Sequence, residues 1–168
     1  MTKELIAQLI VEEAKKYVGV TEHGGENRGP EVERFQRAVD GKASGEPWCM
    51  AFVQFVTGEV CHRLGVRNPL PQSEHCLTVF YSTVSAYRSE KGAPGFVAIW
   101  QHGKTSAGHT GFVTEPGVVY FRTIEGNTNS AGSREGDGVY EKKRLMLSGA
   151  RLRLRGFIDL PQLIFDAV

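Results

Sequence analysis

No stretch of this chain of 168 residues approaches the roughly 20 consecutive apolar residues of a membrane-spanning helix, so no such helix is expected within it. A dominant charge is also missing. Twenty basic residues face 19 acidic ones, a balance that creates no global field to recruit nucleic acid or an anionic membrane surface, and neither is expected as a partner. Cysteine is scarce: three residues, an odd number, argue against a disulfide framework and leave at least one free thiol. No Cys-x-x-Cys or His-x-x-x-His spacing occurs, so no structural zinc site, and no metal or other cofactor, is expected. The apolar segment Leu5–Val11 is interrupted by Gln8, runs into Glu12 and Glu13, and lacks a small-residue cleavage site, so it fails as a secretory signal. The expectation is a protein made in the cytoplasm without a leader.

What is present divides into two halves within one domain, residues 1–168, long enough for one core and too short for two. Leu5, Ile6, Leu9, Ile10, Ala14, Tyr17 and Val18 form a helical stripe, which predicts an N-terminal packing helix over residues 3–18 stopped by Gly19. Pro30 opens a short helix to about Val39. The run from Pro47 to about Leu64 is apolar enough to be a buried central helix. Ser73 is positioned to cap a third long helix with the stripe Cys76, Leu77, Phe80, Val84, Tyr87. After Pro94-Gly95 the pattern turns to strands: Phe96–Gln101, His109–Thr114, Val118–Gly126, Val139–Leu147 and Leu152–Leu160. Helices packed on a C-terminal antiparallel sheet make an α+β fold. Thr128–Gly138, rich in Gly, Ser and charge, is the segment expected to be floppy.

Cys49 follows Pro47-Trp48 at the head of the central helix. A helix's first turn has unpaired N–H groups and the positive end of the macrodipole, both of which favour a thiolate. Downstream come Gly108-His109-Thr110-Gly111 and then Glu125-Gly126-Asn127, on two segments that read as strands. Side chains two apart on a strand share a face, so Glu125 and Asn127 point one way, toward a neighbouring strand that carries His109. Cysteine, histidine and an orienting acid or amide are the parts of a thiol hydrolase, with His109 taking the Cys49 proton and either Glu125 or Asn127 fixing the imidazole. The oxyanion of the attacked carbonyl would be held by N–H groups at the start of the Cys49 helix, or by the Asn127 amide. Gly108 and Gly111 leave room for substrate along the strand, or else mark a bulge. Trp48 is placed either on a wall of the cleft or in the core.

Pro47-Trp48-Cys49-x-Ala51-Phe52-Val53, Gly108-His109-x-Gly111-Phe112-Val113 and Ile124-Glu125-Gly126-Asn127-Thr128, in that order, resemble the motifs of the CHAP family, the cysteine, histidine-dependent amidohydrolases and peptidases of bacteria and their phages. The likeness covers residues from about Gly19 to Leu160, including the loop Asn27-Arg28-Gly29-Pro30. It implies a papain-like fold and a peptidoglycan hydrolase of the endolysin type, with Cys49 as nucleophile, His109 as base, Glu125 as third member and Asn127 as a supporting fourth. Such an enzyme is expected to act as a monomer on the cell wall after release or delivery. Two features depart from the family pattern. Where many members carry Pro-Gly-Asp, this chain has Pro94-Gly95-Phe96. Some phage members bind calcium through closely spaced Asp residues before the cysteine; here Glu31, Glu33, Asp40 and Glu46 lack the alternating spacing of a calcium loop, and no calcium requirement is expected.

Competing readings are simpler. Cys61 and Cys76 lie on apolar faces and read as packing residues. His102 rivals His109 as base, but it falls at a Gly-Lys-Thr-Ser loop, whereas a catalytic imidazole needs a rigid seat on the sheet. Arg151, Arg153 and Arg155 alternate with leucines as a solvated face guarding a strand edge. Two other functions remain open: a non-catalytic virion or wall-binding component with the same fold, and a thiol acyltransferase with the same triad.

Overall fold

The computed structural model describes residues 1–129, 136–147, 149 and 151–168, and four of its helices precede its sheet, as the hydropathy pattern requires, while a fifth, which that pattern did not announce, follows it. Among the described residues the helices are α1 (Lys3–Lys15), α2 (Pro30–Asp40), α3 (Cys49–Leu64), α4 (Cys76–Ser82) and α5 (Leu160–Phe165), with a 3-10 turn at Ser85–Tyr87. The strands are β1 (Arg88–Ser89), β2 (Val97–His102), β3 (Gly108–Glu115), β4 (Tyr120–Thr128), β5 (Gly138–Leu145) and β6 (Leu152–Ile158). They pair antiparallel in the order β1-β6-β2-β3-β4-β5, so the fold is α+β.

α3 is apolar on nearly every side because it is wrapped on nearly every side. Met50, Ala51, Phe52, Val53, Val56 and Val60 have no solvent exposure, and Phe52 meets Phe112 of β3 and Phe35 of α2 edge to face. The helix stops at Gly65, whose left-handed backbone lets its N–H and that of Val66 close the last turn on His62 and Cys61. α2 begins with Pro30 at its first position and delivers Val32, Phe35 and Val39 to the same core. Its buried Gln36 donates to the carbonyls of Asn27 and Glu46, tying together the two loops that flank the helix and lead toward Cys49. A second cluster, Phe96, Ala98, Trp100, Val113, Phe121 and Phe157, fills the other face of the sheet.

Several boundaries differ from those expected. α1 ends at Lys15 because Lys16, Tyr17 and Val18 close tighter i to i+3 bonds, and Leu5 and Val18 face solvent. The long helix expected after Ser73 is seven residues, Cys76–Ser82. The Ser73 hydroxyl accepts the N–H of His75 in a local turn and caps nothing, while Thr83 turns extended and leaves Val84 exposed. The last strand stops at Ile158, since Asp159 caps α5 by accepting from Gln162 N–H and Pro161 sits in the first turn. Of the segment expected to be floppy, residues 130–135 lie outside the described residues; at its ends Thr128 pairs with Gly138 and accepts from Asp137 N–H. β1 reaches only Phe157 and Ile158 of β6, so Arg153 and Arg155 lie beyond its cover, with Arg155 donating to the Tyr81 hydroxyl.

Candidate active site

The site assembles where β3 is paired on one side only. Gly108–Thr110 pair with β2, but β3 joins β4 only from Phe112 onward, and past this stretch the head of α3 meets His109. Cys49 occupies the first position of α3 and is 7% exposed; His109 is 8% exposed. Trp48, the cap residue, offers no side-chain oxygen to the first turn, and the Met50 N–H is left to bond the Cys49 sulfur. The imidazole is close enough to that sulfur for each to shift the other's protonation. Its Nε2 is 2.7 Å from Glu125 Oε2, so Nδ1 is the ring nitrogen left to serve the thiol. Behind the ring Trp100 lies at 5.9 Å between centroids and stacks in turn on Phe121.

Glu125 has no solvent exposure and is saturated with donors. Oε1 accepts from Thr123 Oγ1 at 2.5 Å and Arg144 Nε at 2.7 Å, and Arg144 Nη2 also donates to Oε2 beside His109. Burial alone would push this carboxyl up, but Arg144 and His109 outweigh it and hold it down at about 2. Burial likewise opposes charge on His109, yet the Cys49 sulfur and the Glu125 carboxylate raise it to about 9. The Cys49 thiol falls well below its ordinary 9.0, chiefly through the contact of its sulfur with that of Cys76 at 3.6 Å acting against burial, with His109 and the Met50 N–H adding to it. Cys61, with no such neighbours, is pushed up to about 11 by burial. The site therefore sets side by side a cysteine whose ionised form is favoured, an imidazole whose protonated form is favoured and a carboxylate.

The structure brings together Cys49, His109 and Glu125 and gives the remaining named residues other work. Asn127, at a bulge with φ 50°, turns away from the imidazole: its amide, oriented by its neighbours, accepts from Trp48 N–H at 3.1 Å and donates to the Gly136 carbonyl at 3.2 Å. It anchors the entrance to α3, which leaves Glu125 as the group that orients His109. Trp48 is fully buried, with Nε1 donating to Glu22 Oε1 at 2.8 Å, and so belongs to the core and not to a cleft wall. The room beside Gly108 and Gly111 is also taken. A Cβ at Gly108 would stand 2.8 Å from Cys76 Cβ, and one at Gly111 would collide with the Glu125 side chain and lie 2.7 Å from the Ile124 carbonyl oxygen. These glycines admit Cys76 and Glu125, where a substrate was expected. His102 ends β2 with its ring 6.5 Å from that of His109.

Arg144, Thr123 and Cys76 escaped the sequence reading. Arg144 ends a run of four charged residues, Glu141 to Arg144, that reads as solvated, and only the register setting it opposite Phe121 shows it turned inward. The glycine immediately before His109 was the available signal for Cys76. A separate cavity of about 540 Å³, lined by Lys3, Ala7, Val11, Phe96 and Pro161 among others, includes none of the residues around Cys49. Among the described residues no group of three His, Cys, Asp or Glu side chains suits a metal ion, and no helix is long and apolar enough to cross a membrane. Compared with family models, curated proteins and solved structures, the chain finds no match in any of the three.

Proposed function

We propose that the protein is a cysteine amidohydrolase or peptidase of the CHAP type, with a papain-like arrangement of helix and sheet, that hydrolyses an amide bond of bacterial peptidoglycan. The observation that carries the reaction class is the placement of His109 between the Cys49 sulfur and the Glu125 carboxylate, 2.7 Å from the latter, in the interior at a helix head. The substrate class rests on the resemblance of the three motifs. A bare binding module has no use for a buried thiolate, imidazolium and carboxylate in sequence, which favours the enzyme over a wall-binding component.

The Cys49 thiolate attacks the carbonyl carbon, forming a C–S bond while the C=O electrons move to oxygen. The oxyanion is received by backbone N–H groups of the first turn of α3, such as that of Cys49, which the helical ladder does not use. His109, protonated at rest, gives its proton to the leaving amine as the C–N bond breaks. Water, deprotonated by the now neutral His109, then hydrolyses the thioester and restores the thiolate. The scissile bond is the one joining muramic acid to L-alanine or a peptide bond of the stem or cross-bridge. The enzyme acts as a monomer, reaching the wall after release or delivery.

Digestion of purified peptidoglycan followed by mass spectrometry tests the reading and identifies the bond. Wild-type protein releases new fragments, and Cys49→Ala, folded by circular dichroism, loses about 10³-fold or more of that rate. Undiminished release by Cys49→Ala, or no release from any wall type by the wild type, overturns it. Exchange onto added amines faster than hydrolysis would reassign the triad to acyl transfer.

A further inference from the structure

The two sulfurs of Cys49 and Cys76 lie 3.6 Å apart, both in the interior, on helices that belong to different parts of the chain. At that separation one thiol hydrogen lies between them. Cys49 has three features that favour its ionised form: the first turn of a helix of 16 residues, the Met50 N–H and the imidazole of His109. Cys76 heads only the seven-residue α4 and lacks the imidazole, and the neighbouring Cys49 sulfur, then burial, keep its proton on against its own backbone N–H. When the Cys49 proton passes to His109, the thiol that remains is Cys76, 3.6 Å from the ionised sulfur.

The backbone is built to allow this approach. Residue 108 lacks a side chain where a Cβ would stand 2.8 Å from Cys76 Cβ and 2.9 Å from the Trp100 carbonyl oxygen. Gly111, three residues on, does the same for Glu125. The two glycines around His109 thus seat a donor for the sulfur on one side and an acceptor for the ring on the other.

We propose that Cys76 is a positioning residue for the reaction: its S–H donates to the Cys49 sulfur and holds the nucleophile as a thiolate, in a place kept open by Gly108. The inference rests on the reading of Cys49 as nucleophile. Cys76 exchanges no proton with substrate and forms no bond to it; it acts only through the charge state and direction of Cys49.

Titration of the two thiols tests this directly. In wild-type protein labelled at cysteine Cβ, NMR shows Cys49 ionising below neutral pH while Cys76 remains a thiol through the same range. Cys76→Ala moves the midpoint of Cys49 alkylation by iodoacetamide, read peptide by peptide, upward by about one pH unit or more. The acid limb of peptidoglycan hydrolysis moves with it, and the rate above the new midpoint is kept. Cys76→Ser, which retains a donor, falls between the two. An unchanged Cys49 midpoint in Cys76→Ala, or a wild-type protein in which Cys76 ionises before Cys49, overturns the proposal. Because the NMR titration needs no variant, it decides the matter even if Cys76→Ala fails to fold. Failure of the hydrolase reading appears elsewhere, as wall cleavage that survives Cys49→Ala while the titration is as described.

Discussion

At residue 111 one methyl group separates a working site from a blocked one. The Cβ that alanine would add meets the Glu125 side chain and the Ile124 carbonyl oxygen, and neither can retreat: Glu125 is held by Thr123 and Arg144, and the carbonyl belongs to the strand. Gly111→Ala is therefore expected to cost about 1–3 kcal/mol of stability in a denaturant melt, the usual penalty of overpacking. Hydrolysis falls further than stability does, because Glu125 is pushed out of line with His109. A variant with the stability loss but a full hydrolysis rate and an unchanged pH profile would show that the Glu125–His109 bond has no part in orienting the ring.

The elements differ in how plainly they announce themselves. α3 was legible because an unbroken apolar run ending at a glycine has few other uses, and Cys49 at its head followed from the same pattern. Gly58 within it has open space around the position of a Cβ and an ordinary helical backbone, so Gly58→Ala should raise stability by about 0.5–1 kcal/mol and leave hydrolysis unchanged, as a thermal melt and a wall digest would show. α4 was legible only in part: the stripe through Val84 and Tyr87 continues at helical spacing, and nothing local says that Thr83 turns extended. α5 could have been read from Asp159 and Pro161, an acidic cap before a first-turn proline. The order Cys49, His109, Glu125 was visible in the chain, but the choice of Glu125 over Asn127 was not. Strand alternation puts both on one face, and the bulge at Asn127 that breaks the alternation depends on the pairing with β5.

Over the whole molecule the buried charges set how stability varies with pH. Glu125, lowered from 4.5 to about 2, contributes stability that is complete above 4.5 and is lost as pH falls through 2. His109, raised from 6.5 to about 9, contributes stability that is complete below 6.5 and is lost as pH rises through 9. Cys49, depressed well below 9.0, acts the other way: its contribution grows with pH and is complete only above 9.0. Between 6.5 and 9 the lowered thiol and the raised imidazole contribute slopes of opposite sign, so the two offset one another. Melting temperature should be nearly level across that interval and fall below pH 4.5. Cys49→Ala removes the opposing slope and also the contact that does most to raise His109, so the level stretch should give way to a decline that starts above pH 6.5 and is over before pH 9, which calorimetry across the range would reveal. The first and last helices lie against one another, with Lys3 Nζ on Asp159 Oδ2 at 2.6 Å. A pull applied between residues 3 and 165 would load that clasp first, and the thiolate and its partners would feel mechanical tension only after α1 and α5 had parted.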